Sequence, residues 1–374
     1  MKKRTFIAVL AALLLVVVAS LGYLWMTKRG PVLTVVTWAG TYGQAQITGQ
    51  ALPFARVSRA DVVIKNYDGG TKELANEVAT KQYNWDVFDL EQPDAVAACS
   101  QGLLEPIDAA SLPAGPNGTP AAEDFVPGAI GPCWVASVVY SQVIAYAPNR
   151  ILLGYGEPAS PKTLADFFDV KRFPGPRAMN RAKAKLNLEM ALLADGVAPK
   201  DVYVVLSTPA GVARALAKLD TIRNDIVWWN SLGEPGKMLA DGRATFAAMP
   251  NWAVFDADML SSGIKLGVIW DRQLYEFEVL GVPKGDPRRA LAADYIRFAT
   301  QPQQLARVSS WAAYGPARMS ALPLVRENPE FKVAMTPYLP TAHFDTAFAV
   351  DDGWWRLHGA DVEPLWQAWL AKGR

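Results

Sequence analysis

The chain has 374 residues, 51% of them apolar and 20% charged, the make-up of a folded globular protein too long for a single core, so two lobes are expected. Its formal charge of +1 conceals an asymmetry: the first 30 residues hold five basic side chains and no acid, which leaves 32 basic against 36 acidic residues, a net of −4, in the remainder. No basic stripe is present to neutralise phosphates, so a nucleic-acid partner is excluded.

Residues 1–30 read as a secretory signal or an N-terminal membrane anchor. Lys2, Lys3 and Arg4 precede an apolar run from Phe6 to Met26, and Lys28-Arg29 follows. Val17-Val18-Ala19 offers a small-residue cleavage site, yet the run is also long enough to span a bilayer. Cleaved, or retained on the inner membrane, it places the bulk of the chain in the periplasm. That oxidising compartment lets Cys99 and Cys133, the only cysteines, form a disulfide, with two buried free thiols as the alternative. With His343 and His358 the cysteines show no ligand spacing, so neither metal nor cofactor is expected.

In chain order, Leu33 to Trp38 reads as a strand, followed by the Gly-flanked turn Ala39 to Gly43 and a helix from Gln44 to Arg56. Val62 to Tyr67 is a second strand. Thr71 is placed to cap the helix that runs through Leu74 and Val78. Trp85 to Glu91 is a third strand, delivering Asp89 and Glu91 to its carboxyl end, where open α/β sheets bind ligands. The β-α-β-α-β order predicts a parallel sheet with right-handed crossovers. Trp38, Tyr42 and Glu91 then share one sheet edge, and two aromatic rings with an acid are the materials of a cation box.

Val135 to Tyr146 is a β-branched run long enough to pass from one lobe to another. A second α/β lobe follows: helices from Thr163, from Lys185 to Ala194, from Val212 to Leu219 and from Gly236 to Asp241, with strands at Ile226–Trp229 and Thr245–Met249. Gly267–Trp270 and Glu276–Lys284 read as two strands returning toward the first lobe. Two crossings make a hinge, with the site in the cleft between lobes. Helices at Leu291–Thr300 and Pro302–Ser310 and a helical, Trp-rich C-terminal part complete the chain.

The ordered set of motifs resembles the periplasmic solute-binding proteins of ABC importers, in their putrescine/spermidine-binding branch. The matching pieces are Val36 to Gly43, Tyr67-Asp68-Gly69-Gly70, Trp85 to Glu91, Cys99 with Gly102 to Asp108, Leu192 to Val197, Lys218 to Ile222, Val227-Trp228-Trp229, Leu239 to Gly242 and Tyr314-Gly315-Pro316. The resemblance implies a two-lobed α/β fold of the type II periplasmic-binding class with two crossover strands. Residues 31–142 with 277–312 would form the first lobe, and 143–276 with 313–374 the second. It implies a monomer that delivers a polyamine to a membrane permease.

By the same resemblance the ligand residues are Trp38, Tyr42, Glu91, Glu189, Phe277, Glu278 and Tyr314. Where the family has a Trp followed by a charged residue, this chain reads Met249 to Asp256, which brings Trp252 and Asp256 forward as candidates. An enzyme on the same scaffold, or a binding protein for another small solute, is the alternative. No nucleophile elbow and no phosphate-cradling glycine loop supports the enzyme.

Overall fold

The computed structural model describes residues 30–149, 151, 160–260 and 265–373; the expected export segment lies almost wholly outside them. The strands are β1 (Val32–Thr37), β2 (Asp61–Asn66), β3 (Val87–Glu91), β4 (Val135–Tyr146), β5 (Arg177–Asn180), β6 (Ile226–Trp229), β7 (Phe246–Pro250), β8 (Gly267–Gly281), β9 (Gly315–Pro316) and β10 (Phe348–Ala349). They follow the order β2-β1-β3-β8-β4-β7-β5-β6, with β9 on β4 and β10 on β8.

The first three strands pair in parallel, as their alternation with helices requires, and β5 pairs in parallel with both β6 and β7. The two long strands, β4 and β8, run antiparallel and join these halves. β8 takes up β3 at Glu278 to Gly281, while β4 takes up β7 at Gln142 to Tyr146. Each half-sheet therefore hangs on a different end of one strand pair. That pair is the double crossing between two lobes.

β8 is one continuous strand where two were expected. The polar triplet Asp271-Arg272-Gln273 reads as a break, and a break of sorts is there. Arg272 takes a positive φ of 55°, and the β4–β8 register shifts between Gln142 and Ile144. An irregularity of this kind bends the ladder without ending it.

Seven helices matter for the site: α1 (Thr41–Gln46), which continues through a π turn at Ile47–Ala51 into Leu52–Ser58, α2 (Lys72–Thr80), α3 (Gln92–Ser100), α4 (Asn187–Ala194), α5 (Asn251–Leu260), α6 (Pro302–Trp311) and α7 (Asp352–Ala371). Thr71 stands at the N-cap of α2, but its side chain accepts no hydrogen bond. The turn is held instead by Ala75 N–H donating to the Thr71 carbonyl at 2.9 Å. Gly196, at φ 83°, turns the chain away after α4, a conformation that favours glycine.

Two apolar cores match two lobes. One gathers Leu33, Val35, Phe88, Leu104, Trp134, Val279 and Tyr295. The other gathers Phe167, Met179, Leu188, Ile226, Phe246 and the tryptophans Trp354, Trp366 and Trp369. Ala317 and Ala321 pack into the first core, so the part after residue 312, expected wholly in the second lobe, is shared. From Met319 to Ala347 this part is 3-10 turns and loop rather than α-helix, and it leads into β10.

Cys99 and Cys133 form the disulfide, with Cα atoms 5.8 Å apart across a separation of 34 residues. It ties the end of α3 to the approach to β4. Loop-closure entropy for a ring of this size is worth about 3.8 kcal/mol in the unfolded state. Replacing both cysteines by Ala is expected to cost about 2–4 kcal/mol in urea unfolding. A loss well under 1 kcal/mol would show that the bond constrains little.

Candidate ligand-binding cleft

A cleft of about 670 Å³ opens over the β4–β8 crossing, a size suited to a small organic molecule. Its first-lobe wall is built from strand ends. β1 delivers Trp38, and Gly40, at φ 82°, turns the chain into α1, which carries Tyr42. Gly69 makes room for the Trp38 ring: a Cβ there would sit 2.2 Å from the indole edge, and its φ of 81° already disfavours a side chain.

Alternation along the strands sets the acids. Glu91 lies directly opposite Glu278 in the antiparallel ladder, and Asp89 opposite Leu280. Facing residues in such a ladder share a sheet face, as do residues two apart. Asp89, Glu91, Glu276 and Glu278 therefore all point to the cleft side. Phe277, between the two glutamates, points the other way into the first core, edge-on to Tyr275.

Asp89 is fully buried beneath this wall. Its carboxylate accepts from Thr37 Oγ1 at 2.7 Å and Gln46 Nε2 at 2.6 Å, and Tyr67 donates to its backbone carbonyl. Burial pushes its pKa up to about 7 against these hydrogen bonds. Glu278 is nearly as buried and accepts from Trp38 Nε1 at 3.1 Å. Burial first, then the nearby Asp89 and Glu91, raise its pKa well above the usual carboxylate range. Like charges this close cannot all ionise without a cation.

The second-lobe wall comes from α5 and from the loop ahead of α4. Trp252 and Asp256 stand four residues apart on α5 and so share a helix face. Between them and β4, Asn251 acts as a buried staple. Its Oδ1 accepts from Ser141 N–H at 2.9 Å, and its Nδ2 donates to the Ala313 and Tyr338 carbonyls at 2.6 and 3.0 Å. The Trp252 ring lies nearly parallel to Tyr314, 9° apart with centroids at 6.5 Å, and Tyr314 in turn packs on Tyr42 at 4.6 Å. Asp256 makes no hydrogen bond or ion pair among the described residues, and burial alone pushes its pKa up to about 6.

Two cations enter from the loop before α4. Lys185 donates to both Glu276 and Asp352; burial opposes its charge, but the two carboxylates outweigh it and hold the ammonium above its ordinary range. Lys183 lines the cleft without an ion pair among the described residues. Its charge favours the ionised form of Glu91, whose pKa burial and Glu276 otherwise raise.

Of the nine ligand residues expected from sequence, Trp38, Tyr42, Glu91, Trp252, Asp256, Glu278 and Tyr314 meet in the cleft wall. Phe277 and Glu189 do not. Strand alternation turns Phe277 inward. Glu189 is fully buried behind the wall, where it accepts from the Leu186 N–H at 2.8 Å, Tyr203 Oη at 3.1 Å and the Trp355 indole. Glu276, Tyr140, Asn180, Trp229 and the two lysines line the cleft and were not foreseen. The period of two, applied backward from Glu278, picks out Glu276. Among the described residues no group of three His, Cys, Asp or Glu is arranged to hold a metal ion.

The fold and this interlobe cleft define a two-lobed solute-binding protein. Residues 60–336 match the model of the bacterial extracellular solute-binding protein family, and the chain belongs to it. It is 36% identical over 340 residues, 91% of each chain, to the gamma-aminobutyric acid-binding protein of Pseudomonas aeruginosa. A solved GABA receptor structure superposes with a TM-score of 0.73 at 28% identity, covering 91% of this chain and 98% of that one. An ABC transporter substrate-binding protein from Bradyrhizobium japonicum gives a TM-score of 0.75 at 26% identity, covering 91% and 99%. The chain is thus an extracytoplasmic solute-binding component of an ABC transporter.

The Asp89 environment predicts a pH signature. Its folded pKa of about 7 lies above its ordinary value of 3.8, so folding favours the protonated acid, and that contribution fades as pH climbs from about 4 to about 7. Asp89→Asn, neutral throughout, should gain in melting temperature relative to the unsubstituted protein across this window. A difference that stays flat from pH 4 to 8 would show that Asp89 ionises freely.

Proposed function

We propose that this protein captures a short zwitterion with well-separated ammonium and carboxylate groups, of the γ-aminobutyric acid kind, and hands it to the membrane permease of its importer. The observation that carries the reading is the mixture of charges in one cleft. Asp256, a carboxylate with no partner among the described residues, stands with Glu278 among aromatic rings, while Lys183 offers an ammonium not engaged in an ion pair. An alkylammonium gains from both settings, since carboxylates accept charge-assisted bonds and ring faces attract cations by about 0.5–2 kcal/mol each. Lys183 suits the carboxylate at the ligand's other end. The two GABA-binding relatives point to the same chemistry.

The polyamine reading drawn from motif order is weaker on this geometry. A diamine calls for free carboxylates at both ends, whereas Lys185 already pairs with Glu276 and Lys183 adds a positive charge to the same wall. A catalytic role gains nothing from relatives that are themselves solute-binding proteins.

A ligand that binds only the folded state raises its melting temperature. GABA at millimolar concentration should raise that of the exported part by several degrees, and putrescine, spermidine and butyrate should do so far less. A shift with putrescine and none with GABA would restore the polyamine. Asp256→Asn should weaken GABA binding about tenfold or more by calorimetry, as a charge-assisted bond is lost. Lys183→Gln should weaken GABA binding while leaving butylamine binding unchanged. Equal loss for both would remove Lys183 from the carboxylate end.

A further inference from the structure

We infer that Lys185 is a built-in ammonium ligand, filling a second cation position of the cleft and thereby restricting the site to molecules with one ammonium group. The inference deepens the zwitterion reading and rests on it for the identity of the first ammonium. Lys185 and Glu276 both line the cleft. The Lys185 ammonium bonds Glu276 from mid-β8 and Asp352 from the start of α7, two acids whose side chains are only 6% and 1% exposed. A lysine side chain is a butylammonium on a tether. What it occupies here is the kind of place that the end of a diamine would take.

The spacing supports this. Glu276 and Glu278 lie two residues apart on one strand face, so their stems stand ~7 Å apart, close to the length of a four-carbon diamine. One of these positions faces open cleft and the other is already answered by Lys185. Across β4 the neighbours are Val138 and Tyr140, and across β3 Glu91, so Lys185 is the only cation in contact with Glu276 among the described residues.

The loop that carries Lys185 is held to this task. Leu186 adopts a φ of 72°, which side chains rarely take and which neighbours must enforce. The Leu186 N–H is gripped by Glu189, and the same carboxylate accepts from Tyr203 Oη, which itself accepts from the Asp351 N–H at 2.8 Å. One buried acid thus fixes the lysine loop on one side and the residue beside Asp352 on the other. Glu189 is a positioning residue for the bridge rather than a ligand of the solute.

The test is charge rescue with putrescine as the probe. Lys185→Ala leaves Glu276 and Asp352 unanswered and should melt several degrees lower. Putrescine should restore that loss and bind at least tenfold tighter than to the unsubstituted protein, by calorimetry. Lys185→Met/Asp352→Asn removes the surplus buried charge, protecting the fold, and should show the same gain at Glu276. Adding Glu276→Gln should abolish it. Folded variants in which putrescine binds no better than before would overturn the inference. Failure of the unsubstituted protein to bind GABA would instead overturn the zwitterion reading, while the putrescine comparison would still decide the role of Lys185.

Discussion

Carboxylates crowded into a space with little water are the constraint to which the rest of this molecule answers. Asp89, Glu91, Glu276 and Glu278 share one face of two adjacent strands, and burying them uncompensated costs far more than packing can return. The molecule meets this in three ways. Neutral donors from Thr37, Gln46 and Trp38 take up Asp89 and Glu278. Burial keeps protons on these two acids at higher pH than usual. Lys185 pairs with Glu276 and shares its charge with Asp352. What remains unanswered faces the cleft, where an incoming cation meets it.

The crossing strands make that placement reproducible. A period of two along β8 sends Glu276 and Glu278 to the cleft and Tyr275 and Phe277 to the core, so a slip of one residue would bury the acids and expose the rings. The register is pinned at both ends, by β3 at Glu278 to Gly281 and by β7, through β4, at Gln142 to Tyr146. The second-lobe wall needs no such ladder. A single buried amide, Asn251, ties the start of α5 to β4 and to the loops at Ala313 and Tyr338, and the helical spacing from Trp252 to Asp256 follows.

Much of this was legible in the sequence because it is local. The runs Val135–Tyr146 and Ile226–Trp229 declare themselves as strands by β-branched and aromatic content, and the order of motifs fixed the two-lobed class. Trp38 and Glu91 could be placed because each sits at a strand end, and Glu278 came from the family resemblance. Glu189 was misplaced because its helix begins only at Asn187, which turns the side chain back onto its own cap rather than toward the cleft. Lys185 could not be read at all. Its partners lie 91 and 167 positions away, and no periodicity connects them. Two strands were expected where β8 runs through because a kinked long strand and two short ones share the same local pattern.

The position of β8 also bears on how such a chain crosses a membrane. β8 starts at Gly267 and is the strand that joins the β2-β1-β3 half to the rest of the sheet, so the first lobe's half cannot be completed until most of the chain has emerged. A polypeptide threaded outward from its N-terminus would carry β1 to β3 across without their closing partner. Completion would then come late and nearly at once, when the last long strand arrives and zips the two halves together.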